Sequence, residues 1–226
     1  MRLRTPSPAG IRVFKVLIFL LCLLPLAQLT YGFLHDALGA NPVEAITHGT
    51  GIWALRLLLV SLAITPLRQL AHAPWLIRTR RMLGLFAFFY AVLHFITYLW
   101  LDQFFDWRHI AGDILARPFI TVGFAAFVLL LPLAATSFNA AIRWLGGRRW
   151  QALHRAVYAI AILAVLHYWW LVKIDIREPL LYAVILAGLL GYRAWRREAE
   201  RRRQLAAGQP GGRIKPGKRV IPIVPR

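Results

Sequence analysis

Hydrophobic positions in this chain do not alternate with polar ones. They run in six continuous blocks: Val16–Leu34, Ile52–Leu70, Leu83–Leu101, Pro118–Ala135, Leu153–Val172 and Pro179–Trp195. Each is roughly 17–20 residues long, the length a helix needs to cross a hydrocarbon core of about 30 Å. Backbone in lipid must satisfy its own N–H and C=O groups, and long runs without a period of two do so as helices rather than barrel strands. The pattern predicts an all-α, integral membrane six-helix bundle. The first block is expected to stay as a spanning helix and not to be cleaved as a signal peptide. It is too long, and no small-x-small site leads from it into a polar domain.

The basic residues give the bundle a direction. Arg2, Arg4, Arg12 and Lys15 precede the first block, and Arg68, Arg78, Arg80 and Arg81 lie between the second and third. Arg143, Arg148, Arg149 and Arg155 lie between the fourth and the body of the fifth, and eleven more follow from Arg193 onward. The alternate connections hold only Arg56, Arg108, Arg117, Lys173 and Arg177, and gather Asp36, Glu44, Asp102, Asp106, Asp113, Asp175 and Glu178. The excess of Lys and Arg on one side places both termini in the cytoplasm.

Composition narrows the function. With 59% hydrophobic residues in 226 and a mean hydropathy of +0.56, the chain is neither a soluble globular enzyme nor a disordered protein. One cysteine, Cys22, excludes an intrachain disulfide and a Cys-built zinc or iron–sulfur site. A formal charge of +19 would point to nucleic acid in a soluble protein. Here it marks the cytoplasmic face and its attraction to anionic lipid, about 1 kcal/mol per basic residue near the surface. No nucleic-acid partner is expected. Two regions follow: a bundle over residues 1–203, with Arg193–Arg203 as a basic extension of the sixth helix, and a Gly/Pro-rich basic tail over 204–226, read as disordered from Gly208. Cys22, Gln28, Pro25, Pro66 and Pro132 read as packing and kink residues. No Gly-rich phosphate loop or GxGxxG motif is present, so electrons from a pyridine nucleotide would need another protein to deliver them.

The candidate chemistry lies in the histidines. His35, His48, His72 and His109 fall in connections, whereas His94 lies inside the third block and His154 and His167 on the fifth. Both blocks run in the same direction, which places His94 and His167 at similar depth in the outer half and His154 at the inner end. Neutral imidazole is a good axial ligand for haem iron, and a haem held between two helices needs two histidines at one level. Ala87 and Ala91 leave room beside His94 for a flat ring, and Tyr98, Trp169 and Trp170 sit toward the outer end as ring-edge neighbours or as an interfacial belt.

At the inner end, fourteen residues before His94 stands Arg80. With Arg81 and Arg155 it suits haem carboxylates rather than iron. His154 reads evenly as an inner-haem ligand and as a residue reaching the interface, and His72 is the only other histidine on that side. The two fifth-helix histidines lie about 20 Å apart along an ideal axis and about 140° apart around it. Two haems on that helix would therefore face different directions, unless the helix departs locally from ideal. Arg56 reads equally as a partner for outer-haem carboxylates and as a snorkelling residue. A proton relay would use intramembrane Asp or Glu, which these helix interiors lack. Metal transport would bring several ligands to one depth.

Several segments carry a resemblance to a known family: NPVEAITHGTG (Asn41–Gly51), ALRLLLVSLAITPL (Ala54–Leu67), LIRTRRMLGL (Leu76–Leu85), RPFITVG (Arg117–Gly123) and WQALHRAVYAIAILAVLHYWWLVK (Trp150–Lys173). The chain resembles the MsrQ (YedZ) family, haem-binding membrane subunits of the periplasmic methionine sulfoxide reductase system, within the ferric reductase-like transmembrane group. The resemblance implies that His94, His154 and His167 are haem-associated and that one or two haems b are bound. It implies a multi-pass protein of the bacterial inner membrane, partnered with a periplasmic molybdopterin-containing catalytic subunit of the MsrP type. Electrons would come from the quinone pool or a cytosolic flavin reductase. It also implies FMN, for which no residue pattern marks a site. The reading is an electron-transfer subunit with no catalytic centre of its own. The alternatives are a self-contained ferric or quinone reductase and, from another class, a transporter or anchor without haem.

Overall fold

The computed structural model describes residues 6–172 and 174–207, so Lys173 and the tail from Gly208 lie outside the described residues. The chain divides into two compact units, Met1–Leu190 and Gly191–Arg226. The described residues form helices and no strand.

Among the described residues nine α-helices follow in order: α1 Pro8–Leu34, α2 Pro42–Leu70, α3 Arg80–Thr97, α4 Trp107–Ala116, α5 Pro118–Ala135, α6 Asn139–Leu145, α7 Gly147–His154, α8 Val157–Leu171 and α9 Arg177–Ala207. Helix starts carry their expected signals. Ser7 Oγ accepts from Gly10 N at 3.1 Å ahead of Pro8. Asn41 Oδ1 accepts from Glu44 N at 3.2 Å ahead of Pro42, and Asp106 Oδ1 accepts from Arg108 N and His109 N, each at 3.1 Å. A capping oxygen satisfies N–H groups that a helix leaves open, and proline at the first position forgoes a donor that has no partner there.

Five of the described helices are long and apolar enough to cross a membrane: Pro8–Leu34, Pro42–Leu70, Pro74–Asp102, Pro118–Ala135 and Gly147–Leu171. They contain the first five predicted blocks, except Val172 at the end of the fifth. The sixth block lies in α9, whose apolar stretch is cut short by Glu178 before it and Arg193 after it. Fourteen residues between those charges rise only about 21 Å as a helix.

Two other differences matter for the site. The stretch read as a connection around His48 is the first three turns of α2, because the Asn41–Pro42 cap starts the helix ten residues before Ile52. Arg56 therefore lies near the middle of α2. The fifth block is not one regular helix: α7 ends at His154 and α8 begins at Val157. The connection after α3 also holds structure, a π-helical turn at Tyr98–Asp102, positive φ at Phe104 and Phe105, and the short helix α4.

In the first unit α2 packs against α3 and α5 against α8, with Leu62, Tyr90 and Ala161 fully buried. Lipid is as apolar as leucine, so helices in a membrane associate through close contacts of small residues and through hydrogen bonds. Gly49 meets Leu29 of α1 so closely that an added Cβ would stand 3.0 Å from its Cδ2. The buried Tyr90 hydroxyl on α3 donates to the Cys22 carbonyl at 2.7 Å and accepts from Leu26 N at 3.1 Å, joining α3 to α1. In the second unit, Glu198 pairs with Arg202 at 2.9 Å along the exposed helix.

Candidate functional site

His94 on α3 and His167 on α8 face one another, with ring centroids 6.1 Å apart. Each is fixed by the same device. His94 Nδ1 lies 2.8 Å from the Thr47 carbonyl of α2, and His167 Nδ1 lies 2.7 Å from the Phe119 carbonyl of α5. A carbonyl oxygen only accepts, so both Nδ1 atoms carry the proton and both Nε2 atoms are left as lone-pair donors. Metal-ligating histidines are commonly oriented in this way by a hydrogen bond from the other ring nitrogen.

Two glycines make the room. An added Cβ at Gly123 would stand 2.6 Å from His167 Nδ1, and one at Gly51 would stand 3.0 Å from His94 Nδ1. Gly51 is four residues after Thr47 on α2, and Gly123 is four after Phe119 on α5. On each helix one turn thus supplies both the carbonyl that holds the imidazole and the gap that admits it. Sequence reasoning missed these four residues as site residues, although all fall in the segments that carry the family resemblance.

The histidines line a cavity of about 970 Å³. Ala87 and Ala91 line it too, as does His48, whose ring lies 5.7 Å from that of Tyr168. The donor set fits a haem. Among the described residues no group of three or more His, Cys, Asp and Glu side chains converges as a metal site. The two Nε2 lone pairs, on rings that face one another across the cavity, would hold a haem iron, which would supply one-electron chemistry there.

Arg56 has other partners. Its Nε donates to Tyr182 Oη at 2.8 Å, its guanidinium lies 3.8 Å from Glu178, and it stacks over Trp53 at 5.0 Å. Tyr168 Oη donates to Glu178 at 2.6 Å, completing a polar cluster between α2, α8 and the start of α9. Arg117, not Arg56, lines the cavity.

His154, at the end of α7, stacks on Trp150 with centroids 3.9 Å apart and donates from Nδ1 to the Trp150 carbonyl at 3.1 Å. Its Nε2 faces Ser137 Oγ at 3.5 Å, but the one hydroxyl proton of Ser137 goes to the Leu133 carbonyl at 2.7 Å. The Nε2 lone pair is thus left without a good donor. Arg80 and Arg81 lie within electrostatic reach of His154, and Arg81 Nη1 donates to Asn139 at 2.8 Å. His72 stands in the turn after α2 at φ 50°. The break between α7 and α8 removes the fixed 140° offset that an ideal helix would impose on His154 and His167.

Comparisons with known proteins agree with this architecture. The ferric reductase like transmembrane component family matches residues 50–165. The protein-methionine-sulfoxide reductase heme-binding subunit MsrQ of Azospira oryzae is 58% identical over 189 residues, covering 83% of this chain and 81% of the relative. Its counterpart in Herminiimonas arsenicoxydans is 54% identical over 200 residues, covering 86% and 92%. That of Xanthomonas oryzae pv. oryzae is 54% identical over 210 residues, covering 90% and 96%. No solved structure matches the chain. At these identities, over most of both partners and with the ferric reductase-like match across residues 50–165, which include His94 and His154, the chain belongs to the MsrQ family.

Proposed function

We propose that the chain is a haem-binding, electron-transfer membrane subunit of a protein-methionine-sulfoxide reductase system. The observation that carries this reading is the His94–His167 pair: two half-buried imidazoles with both Nδ1 atoms committed to carbonyls and both Nε2 atoms free. A haem b iron held there supplies one-electron chemistry with no group transfer. The protein's own work is to hold the two rings at a fixed separation, to fix their tautomers and to keep the ring in an apolar shell. His154, with Arg80 near it, is the candidate for a second haem site at the basic end of the bundle.

In this reading the sixth crossing is made by α9, both termini lie in the cytoplasm, and the membrane is the bacterial inner membrane. The basic face meets anionic lipid and receives electrons from quinol or a cytosolic flavin reductase. The opposite face passes them to a periplasmic molybdopterin-containing catalytic subunit. FMN is a further cofactor of the proposal, without an assigned site. The test is an absorbance spectrum of the purified protein with haem quantitation, on wild type and on His94→Ala and His167→Ala. Both variants are expected to lose the same spectral component. A haem-free wild type would favour a transporter or anchor. A haem-loaded protein that reduces ferric chelates or quinone and never co-purifies with a molybdenum protein would favour a self-contained reductase.

A further inference from the structure

The cavity around His94 and His167 is polar at one end only. Toward the basic end its walls are Leu58, Ala87, Ala126, Leu130, Ile160 and Ala164, all apolar. Toward the acidic end they include Asn41, Glu44, His48, Tyr98, Asp102 and Arg117. A haem carries two carboxylates on one edge, and an apolar wall cannot solvate them. Arg117 is the one Lys or Arg among the described residues lining the cavity.

Arg117 is half-exposed, and its guanidinium is anchored. It caps α5 ahead of Pro118, and its Nε lies 3.2 Å from Asp113 Oδ1 of α4. Asp113 is only 5% exposed and is shared with His109 at 3.4 Å. The Thr121 hydroxyl, one turn into α5, donates to the Ile114 carbonyl and ties α4 to the same turn. Because Asp113 engages Nε, the two terminal nitrogens of the guanidinium are left for a carboxylate, which Arg binds bidentately. The buried Tyr98 Oη and Thr47 Oγ, both from residues that line this cavity, have no hydrogen-bond partner, and a buried hydroxyl without a partner is costly unless a ligand supplies one. The two acids at this end are already engaged: Glu44 accepts from Asn41 at 3.1 Å and Asp102 from Gln103 at 2.8 Å.

Resting on the reading of His94 and His167 as haem ligands, we infer that the haem's carboxylate edge faces the acidic end of the bundle, where Arg117 is its principal partner and His48 its second. Asp113 is a positioning residue that aims the Arg117 guanidinium.

The test is a cycle. Membranes from haem-deficient cells containing the full chain are titrated with haem and with haem dimethyl ester, whose carboxylates are masked, for wild type, Arg117→Ala, Arg117→Lys, His48→Ala and Asp113→Asn. A charged hydrogen bond lost is expected to weaken haem affinity about tenfold or more in Arg117→Ala. Smaller losses are expected in His48→Ala and Asp113→Asn, with partial recovery in Arg117→Lys. Against the dimethyl ester all five proteins should be equal. Equal affinity for free-acid haem in wild type and Arg117→Ala overturns the inference while leaving the histidine ligation standing. An equal loss for both ligands in Arg117→Ala also overturns it, because the role is then structural. A wild type that takes up neither ligand, or a His94→Ala protein that takes up both normally, overturns the underlying reading instead.

Discussion

The Cα of Gly123 is turned at the ring of His167 so closely that a methyl group there would stand 2.6 Å from Nδ1 and 2.7 Å from Cε1. Real Cβ atoms do not approach so near, and Nδ1 is already held by the Phe119 carbonyl one turn earlier on the same helix.

The first prediction follows from that contact. Gly123→Ala should displace the His167 ring and remove the same haem component as His167→Ala, at an overpacking cost of about 1–3 kcal/mol. Gly51→Ala, with contacts of 3.0 Å to His94, should weaken the site less. Gly84→Ala is the control. Nothing lies within 4 Å of its added Cβ, and Ala is the better helix former, so its spectrum should match wild type. Haem content and helical circular dichroism on the three variants separate a lost ligand from a lost fold. A wild-type spectrum in Gly123→Ala would show that the His167 ring is not confined there.

A second prediction concerns His154. Its ring packs on Trp150 at the basic end, on a helix separate from the one that carries His167. His154→Ala is therefore expected to keep the His94–His167 component, with partial haem content, and to lose reduction by the cytoplasmic donor. A chemical reductant should still reduce the remaining haem. Arg80→Ala should show a milder form of the same defect, because guanidinium suits a carboxylate and not iron. Haem quantitation with stopped-flow reduction in membranes reads both. Loss of all haem in His154→Ala would favour a single haem site, and wild-type behaviour in both assays would remove His154 from the path.

The spanning helices were legible because a run of apolar residues in lipid has one common solution. So was the pairing of His94 with His167, since two helices of like direction put their histidines at comparable depth. What lay hidden was set by backbone. The carbonyls of Thr47 and Phe119 are not encoded by their side chains, and Gly51 and Gly123 announce no function until a ring is seen beside them. Hydropathy puts His48 in a connection because it marks where lipid begins, whereas the Asn41–Pro42 cap marks where α2 begins. In sequence Arg56 reads equally as a haem-carboxylate partner and as a snorkelling residue. Its partners Tyr182 and Glu178 lie more than a hundred residues away in sequence, beyond any local pattern.

The number of crossings gives a third prediction. The fourteen residues between Glu178 and Arg193 are short for a full span, yet five crossings would put the termini on opposite faces, and the basic residues beyond Arg193 argue for the same face. Tyr192 and Trp195, with rings 6.1 Å apart, follow the apolar stretch as interfacial residues would. Reporter fusions after Arg203 should read cytoplasmic and fusions at Asp106 periplasmic. A periplasmic reading after Arg203 would leave five crossings and cost the reading its positive-inside basis.

The last prediction concerns Tyr90, which is fully buried and whose hydroxyl bridges the Cys22 carbonyl and the Leu26 N–H. In a regular helix those two backbone groups bond to each other, so the hydroxyl stands in the α1 ladder next to Pro25, where inserted groups and proline both bend helices. Two consequences oppose each other in Tyr90→Phe. The buried hydroxyl and its two hydrogen bonds are lost, but the freed backbone pair can close on itself, so neither backbone group need stay unsatisfied. The net loss should be small, about 1 kcal/mol, in keeping with interhelical hydrogen bonds in membranes. Tyr90→Ala adds a cavity beside Cys22 and should cost about 3–5 kcal/mol. Tyr90 does not line the His94–His167 cavity, so Tyr90→Phe should keep full haem content and the wild-type spectrum while its thermal or denaturant midpoint falls slightly. Loss of haem in Tyr90→Phe at wild-type stability would mean that the α1–α3 tie shapes the haem site and does not merely join two helices.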